Sequence, residues 1–140
     1  MRLLVCGSRG WTNEPLLRNV LDRTWERWPM EPFTTVVEGE QEGADLMGRA
    51  WAEARGIFVD PYPAHWERYG KSAGHVRNQK MLDSGVDVVA AFSTTDPATP
   101  GTQDMCRRAY AARVLAIVFV TADGRERMIW PRVDALRVAA

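Results

Sequence analysis

What the sequence lacks removes several functions at the outset. No apolar run approaches the ~20 residues that a helix needs to cross a bilayer, so a helical membrane span is excluded. The opening "MRLLVC" pairs one basic residue with a short apolar run that stops at Gly7. That run is shorter than the roughly 7–15 residues of a signal-peptide core, and a first strand is expected there instead. Net charge is also missing: 18 basic and 18 acidic residues cancel. No global field then draws the chain to nucleic acid or to a membrane surface, and neither is expected as a partner. Lysine is nearly absent, 2 against 16 arginines, a bias better ascribed to a GC-rich genome than to a basic face. The two cysteines, Cys6 and Cys106, lack CxxC spacing. They are expected as free thiols of a reducing cytoplasm, Cys6 as a small buried hydrophobe. The two histidines, His65 and His75, have no metal-ligand spacing with each other or with cysteine. They read as a packing histidine and a polar one near a helix start, and no metal or cofactor is expected.

What is present is ordinary globular material, 46% hydrophobic and 26% charged over 140 residues, enough for one domain with its own core. Strand and helix signals alternate along it. "RLLVC" (2–6) is a buried-strand pattern closed by Gly7. Residues 14–28 space Leu17, Val20, Leu21, Trp25 and Trp28 at helical intervals, with Asn13 as cap and Pro15 in the first turn. "TTVVE" (34–38) is a second strand, followed by a helix over about 44–55 that Gly56 closes. "IFVD" (57–60), a helix over about 73–83, "VDVVAAF" (86–92), a helix over about 102–113 and "VLAIVFV" (114–120) complete five alternations. The remainder, 121–140, predicts a turn at Asp123 and Gly124, a short strand near 128–130 and a terminal helical turn. Near-continuous apolar strands between helices imply an α/β fold with a parallel sheet covered on both faces. Ligands of such sheets bind at the carboxyl ends of strands, near a topological switch point. The loops after the first, second and fourth strands, richest in glycine and polar residues, should therefore gather on one edge.

Each loop carries chemistry suited to an anion, beside a plainer structural reading. In "GSRGW" (7–11), Gly7 and Gly10 admit close backbone approach, while Ser8 and Arg9 offer a hydroxyl and a planar cation. The alternative is a tight turn with an exposed arginine. "EGEQEGAD" (38–45) leads through Gly39 and Gly43 into a helix at Ala44, whose amides and dipole favour an anion. Asp45 could equally be a first-turn acid stabilising that helix. Glu38, Glu40 and Glu42 would repel a phosphate unless they pointed away or held a divalent cation, and of these readings solvated surface acids are expected. Within "YGKSAGHVRNQKM" (69–81), Val76, Met81 and Leu82 are assigned to the core, leaving Arg77 and Asn78 on another face. In "FSTTDPATPGTQDM" (92–105), Gly101 and Thr102 are placed just before a helix whose first turn holds Asp104.

In this order, "VCGSRGW", "EGxxxGAD", "PAHWERYGKSAGHVRNQKM" and "PGTQDM" resemble the SLOG superfamily of Rossmann-like domains, in its YspA/cpYpsA-related branch. The likeness spans about residues 2–120. It implies a Rossmann-like three-layer sandwich with a mainly parallel sheet of about five strands. The chain would be one domain over 1–140, with a short C-terminal extension over 121–140. It also implies a nucleotide or nucleotide-derived small-molecule ligand and a homodimer. The related Lonely Guy group cleaves the base from nucleoside monophosphates, using a PGGxGTxxE loop and an arginine in an RKxxM helix motif. Here Pro97 matches the proline, Gly101 and Thr102 the GT pair, and Asp104 the glutamate. Arg77 matches the arginine, with Asn78 in place of lysine and Met81 in step. The resemblance thus implies Arg77 and Asp104 as catalytic residues. Gly7, Ser8, Arg9, Gly39, Gly43, Ala44, Asp45, Asn78, Gly101 and Thr102 are implied as ligand-binding. Departures stand beside these matches. Ala98 and Thr99 replace paired glycines, Glu40 stands at a usual glycine, and Asp104 is one methylene shorter than glutamate.

Three functions follow from different classes. The first is a sensor or sequestering module for a nucleotide-derived ligand, with Trp11 or Trp66 available to stack on a base. The second is hydrolysis of an N-glycosidic bond, with Asp104 supporting an oxocarbenium-like ribose and Arg77 positioning phosphate. The third is a structural or partner-binding protein that keeps only the scaffold, with Gly101 and Arg77 blocked by side chains.

Overall fold

In the computed structural model, residues 1–133 are described. The chain runs β1 (Arg2–Gly7), α1 (Glu14–Glu26), β2 (Thr35–Glu38), α2 (Ala44–Ala54) and β3 (Phe58–Pro61). It continues through α3 (Trp66–Tyr69), a 3-10 turn at Gly70–Ser72, α4 (Ala73–Asp83), β4 (Val88–Ser93), α5 (Pro100–Ala111), β5 (Ala116–Thr121) and β6 (Glu126–Ile129). Local chemistry places the boundaries. Asn13 Oδ1 accepts from the Leu16 amide at 3.1 Å and opens α1. Gly56, at a φ of 68°, turns the chain out of α2 in the left-handed conformation that glycine adopts without strain.

The strands form one sheet in the order β3-β2-β1-β4-β5-β6. β1 to β5 pair in parallel, and β6 adds antiparallel to β5. The alternating side chains of β1 show how the layers close. Leu3 and Val5 pack with Leu17, Val20 and Leu21 of α1 and Trp51 and Ala52 of α2. Leu4 and Cys6 point to the other face, against Met81 and Leu82 of α4 and Met105 and Ala109 of α5. Helices on both faces of a mainly parallel sheet make a Rossmann-like three-layer sandwich. After β3 the chain crosses β1 to lay down β4 on its far side. The topological switch point therefore lies between β1 and β4, where Gly7 pairs with Phe92.

Three expectations change. α5 begins at Pro100, with Thr99 at the N-cap position, so Gly101 and Thr102 lie inside its first turn and Asp104 lies beyond it. Proline suits a first helical turn because its missing N–H would have no partner there. Second, Arg77 and Asn78 are buried, 7% and 5% exposed, alongside Met81 and Leu82, whereas Val76 is only half-buried. Third, the sheet has six strands rather than about five: the expected turn, with Gly124 at a φ of 88°, and the expected short strand after it are present, and that strand joins β5 as β6. The expected terminal helical turn falls largely outside the described residues.

Candidate functional site

At the switch point a cavity of about 460 Å³ opens on the carboxyl ends of β1 and β4. The β1–α1 loop contributes Gly7, Ser8, Arg9 and Gly10, the β2–α2 segment Gln41 and Asp45, and the β4–α5 segment Thr94, Thr99, Gly101 and Thr102. α4 and the turns before it add Trp66, Lys71, His75, Arg77 and Asn78. The three loops thus gather on one edge as their strand positions require. A chain of hydroxyls ties two of them together. The Thr94 amide donates to Ser8 Oγ at 3.1 Å, Ser8 Oγ lies 3.0 Å from Thr99 Oγ1, and Thr99 Oγ1 donates to Thr102 Oγ1 at 3.3 Å.

Cations dominate the wall. Arg77 projects from α4 beneath the β2–α2 loop, and its Nη1 donates to the Gly39 carbonyl at 2.9 Å. Its Nε donates to Asn78 Oδ1 at 3.1 Å. With its amide oxygen turned toward both arginines, Gln41 accepts from Arg9 Nη2 at 3.3 Å and from Arg77 Nη2 at 3.2 Å. Among the described residues, no carboxylate lies within ion-pair distance of Arg9, Lys71 or Arg77. Arg77, expected on a face away from the core, is instead a buried fork held on neutral acceptors. Trp66 is 48% exposed, with the Arg9 guanidinium 6.0 Å from its ring. Trp11 is buried and packs edge-on against Phe92 at 5.3 Å, so only Trp66 of the two stands at the cavity.

One acid shares the wall. Asp45 is 3% exposed, and its Oδ2 accepts from the amides of Gly39 at 3.1 Å and Gln41 at 3.4 Å. These donors belong to the preceding loop, so Asp45 holds that loop rather than capping its own helix. Burial pushes its carboxyl up to about 7, with Arg77 pulling in the opposite direction.

Asp104 is placed differently. Its Oδ2 accepts from Asn78 Nδ2 and from Arg108 Nε, both at 2.9 Å, and its Oδ1 lies 2.9 Å from His75 Nδ1. Burial alone would raise this carboxyl, but the Asn78, Arg108 and His75 bonds outweigh it and hold it below the usual carboxylate range. Asp104 is not among the cavity-lining residues. It clamps α4 to α5 and presents His75, half-exposed, at the cavity mouth.

The glycines separate by what fills the space a β-carbon would take. At Gly7 it would meet the Phe92 carbonyl oxygen at 2.1 Å, and at Gly43 the Ser8 carbonyl oxygen at 2.5 Å. At Gly39 it would meet Arg77 Nη1 at 2.2 Å. These three admit the protein's own backbone and the arginine. At Gly101 nothing lies within 4 Å, and this glycine faces the open cavity. Ala44 is fully buried beneath the loop. Of the residues singled out from the sequence, Gly7, Ser8, Arg9, Asp45, Arg77, Asn78, Gly101 and Thr102 line the cavity, and Gly39, Gly43, Ala44 and Asp104 do not.

The acids of the β2–α2 loop also differ from solvated surface groups. Glu38 is fully buried, with Arg49 Nη2 3.0 Å from one oxygen, and burial raises its carboxyl above the ordinary value. Glu40 pairs with the same arginine at 2.9 Å and takes a φ of 60°, a left-handed conformation that explains glycine at the corresponding position of the resembling family. Among the described residues, no group of three or more His, Cys, Asp or Glu side chains is placed to hold a metal. Cys6 borders the cavity as an unreactive thiol, because burial pushes it well above the ordinary thiol range. Gln41, Lys71, His75, Thr94 and Thr99 were not legible as cavity residues. Their placement depends on which loops the sheet brings together.

A doubly wound α/β domain with a cation-lined cavity at its switch point is the class that fold and site define. The sequence profile of the YspA, cpYpsA-related SLOG family matches residues 1–69, from β1 through α3. The Gene 61 protein of Mycobacterium phage D29 is similar over 123 residues at 34% identity, covering 84% of this chain and 95% of the relative. The chain belongs to the YspA, cpYpsA-related SLOG family, which makes it a Rossmann-like, nucleotide-related module. No solved structure matches it. Among the described residues, no helix is long and apolar enough to cross a membrane.

Proposed function

We propose that the protein binds a nucleotide or nucleotide-derived ligand in the cavity at the carboxyl edge of the sheet, as a sensor or sequestering module. The observation that carries this reading is the pair of guanidiniums, Arg9 and Arg77, bridged by Gln41 and left without a carboxylate partner among the described residues. A protein that holds two such cations side by side keeps unneutralised charge, which favours an anionic ligand with several acceptor oxygens. The first turn of α5 faces the same space, with no side chain filling the position over Gly101. Its free amides and the positive end of the helix dipole supply further anion affinity. Trp66 at the rim offers a flat apolar face to a base. The open cavity speaks against a scaffold whose pocket has closed. Free thiols at Cys6 and Cys106 fit a reducing compartment such as the cytoplasm.

The test is thermal denaturation across a panel of nucleoside mono- and diphosphates, cyclic nucleotides and ADP-ribose. At least one compound should raise the melting temperature of the wild type and fail to raise that of Arg9→Ala. No shift with any compound counts against the proposal.

Hydrolysis of an N-glycosidic bond by Asp104 acting directly on the ligand gains no support, because three donors already occupy that carboxylate. A hydrolytic version of the site rests on His75, which Asp104 orients through Nδ1. Release of free base from AMP, abolished in His75→Ala and retained in Arg108→Ala, is the result that version requires.

A further inference from the structure

The cavity's cations account for an anionic group, but not for the second oxygen of the buried Asp45, whose first oxygen holds the β2–α2 loop. A carboxylate beside a phosphate site repels the ligand unless it meets a donor. Oδ2 is fixed by the Gly39 and Gln41 amides. Among the described residues nothing donates to Oδ1, and Oδ1 is not among the sealed, partnerless buried atoms. Asp45 itself lines the cavity. One oxygen of a side chain that is 97% buried, at 3% exposure, is thus held open to ligand by the anchoring of the other. About 460 Å³ is more space than a phosphate group fills.

We propose that Asp45 accepts a hydrogen bond from a sugar hydroxyl next to the anionic group, so that the site selects ribosyl over deoxyribosyl ligands. The inference rests on the nucleotide reading above and names the substrate class of that same site. Arg9 and Arg77 take the anionic end, and Asp45 takes the neighbouring donor. A buried acceptor left without its donor carries the full desolvation penalty. Removal of the hydroxyl should therefore weaken binding by roughly 10–100-fold. Asp45→Asn inverts the chemistry with little change of shape. The two backbone N–H groups demand an oxygen, so the amide NH2 must take the cavity-facing position, and an acceptor becomes a donor.

Isothermal titration of AMP, 2′-deoxy-AMP, 3′-deoxy-AMP and inorganic phosphate into the wild type and Asp45→Asn tests this. In the wild type, AMP should bind at least tenfold more tightly than one of the deoxy forms. In Asp45→Asn that ratio should fall to about one, while inorganic phosphate binds at least as well as to the wild type. Equal binding of all three nucleotides by the wild type overturns the inference and leaves the nucleotide reading standing. So does an unchanged ratio in Asp45→Asn. Failure of the wild type to bind any of the four overturns this inference, and the nucleotide reading falls with it only where the wider nucleotide panel also gives no thermal shift. The wild-type comparison needs no variant, so misfolding of Asp45→Asn does not protect the proposal.

Discussion

Arg9 and Arg77 look alike in the sequence and carry different structural weight. Arg9 is exposed, and its loss should leave the melting temperature within about 2 °C of wild type while removing ligand-induced stabilisation. Arg77 is buried on the Gly39 carbonyl and Asn78, so Arg77→Ala should cost both binding and stability. Gly39→Ala tests the same contact from the other side. Its β-carbon would lie 2.2 Å from Arg77 Nη1, and it should weaken nucleotide binding as Arg77→Ala does. Asp45 makes a pH prediction. Its folded carboxyl titrates near 7 and its unfolded one near 3.8, so the folded state holds the proton more tightly. The stability from that proton is complete below pH ~4 and is lost as pH rises through 7. Asp45→Asn should therefore gain on the wild type between pH 4 and 8, by at most ~4 kcal/mol. Urea midpoints at pH 5 and pH 8 measure the difference, and an equal offset at both would contradict the burial account. The sequence allowed a ligand role for Arg9 and Asp45 through their loops and for Arg77 through the family resemblance, but it placed Arg77 on the wrong face. A stripe through residues 73, 77 and 81, with 78 and 82 beside it, was available at helical spacing. Counting polar residues as surface hid it.

α4 and α5 are joined more by polar contacts than the periodicity of either helix suggested. Asn78 Nδ2 reaches both Asp104 and the Gly101 carbonyl, Arg108 reaches Asp104 and Gln79, and His75 completes the clamp. Asp104→Asn should lower stability by about 2 kcal/mol at pH 7. Because the carboxyl is held below its usual value, its contribution is present above pH ~4 and fades as pH falls further. The gap between wild type and Asp104→Asn in urea should accordingly narrow at pH 3. A gap independent of pH would mean that the charge of Asp104 is not what joins the helices. In the β2–α2 loop, Glu40 combines a left-handed backbone with a partly exposed pair to Arg49. Glycine removes a strain of roughly 1 kcal/mol, whereas such a pair is worth ~0–1 kcal/mol. Glu40→Gly should therefore be neutral or stabilising in chemical denaturation. The existence of these elements was legible from periodicity and caps. The start of α5 was not, because Thr102 and Gly101 looked like a cap when Pro100 already fixed the first turn.

At the scale of the molecule, strand order decides everything about the site. Five alternations of apolar strand and helix pointed to a doubly wound sheet, and the rule for such sheets pointed to its carboxyl edge. The crossover that puts β4 beside β1 then brings together Ser8, Gln41, His75 and Thr99, residues far apart in the sequence. No local pattern could pair His75 with Asp104, 29 positions away. It was equally silent on which glycines serve packing and which leave ligand space. The same crossover brings Arg9, Arg77 and the start of α5 to one cavity, and the account stands on that convergence. A crystal structure of the protein soaked with AMP tests it most directly. The phosphate should lie between the two guanidiniums and the first-turn amides of α5. A phosphate bound away from Arg9 and Arg77, or a cavity that stays empty at saturating AMP while other nucleotides also fail to enter, would contradict it.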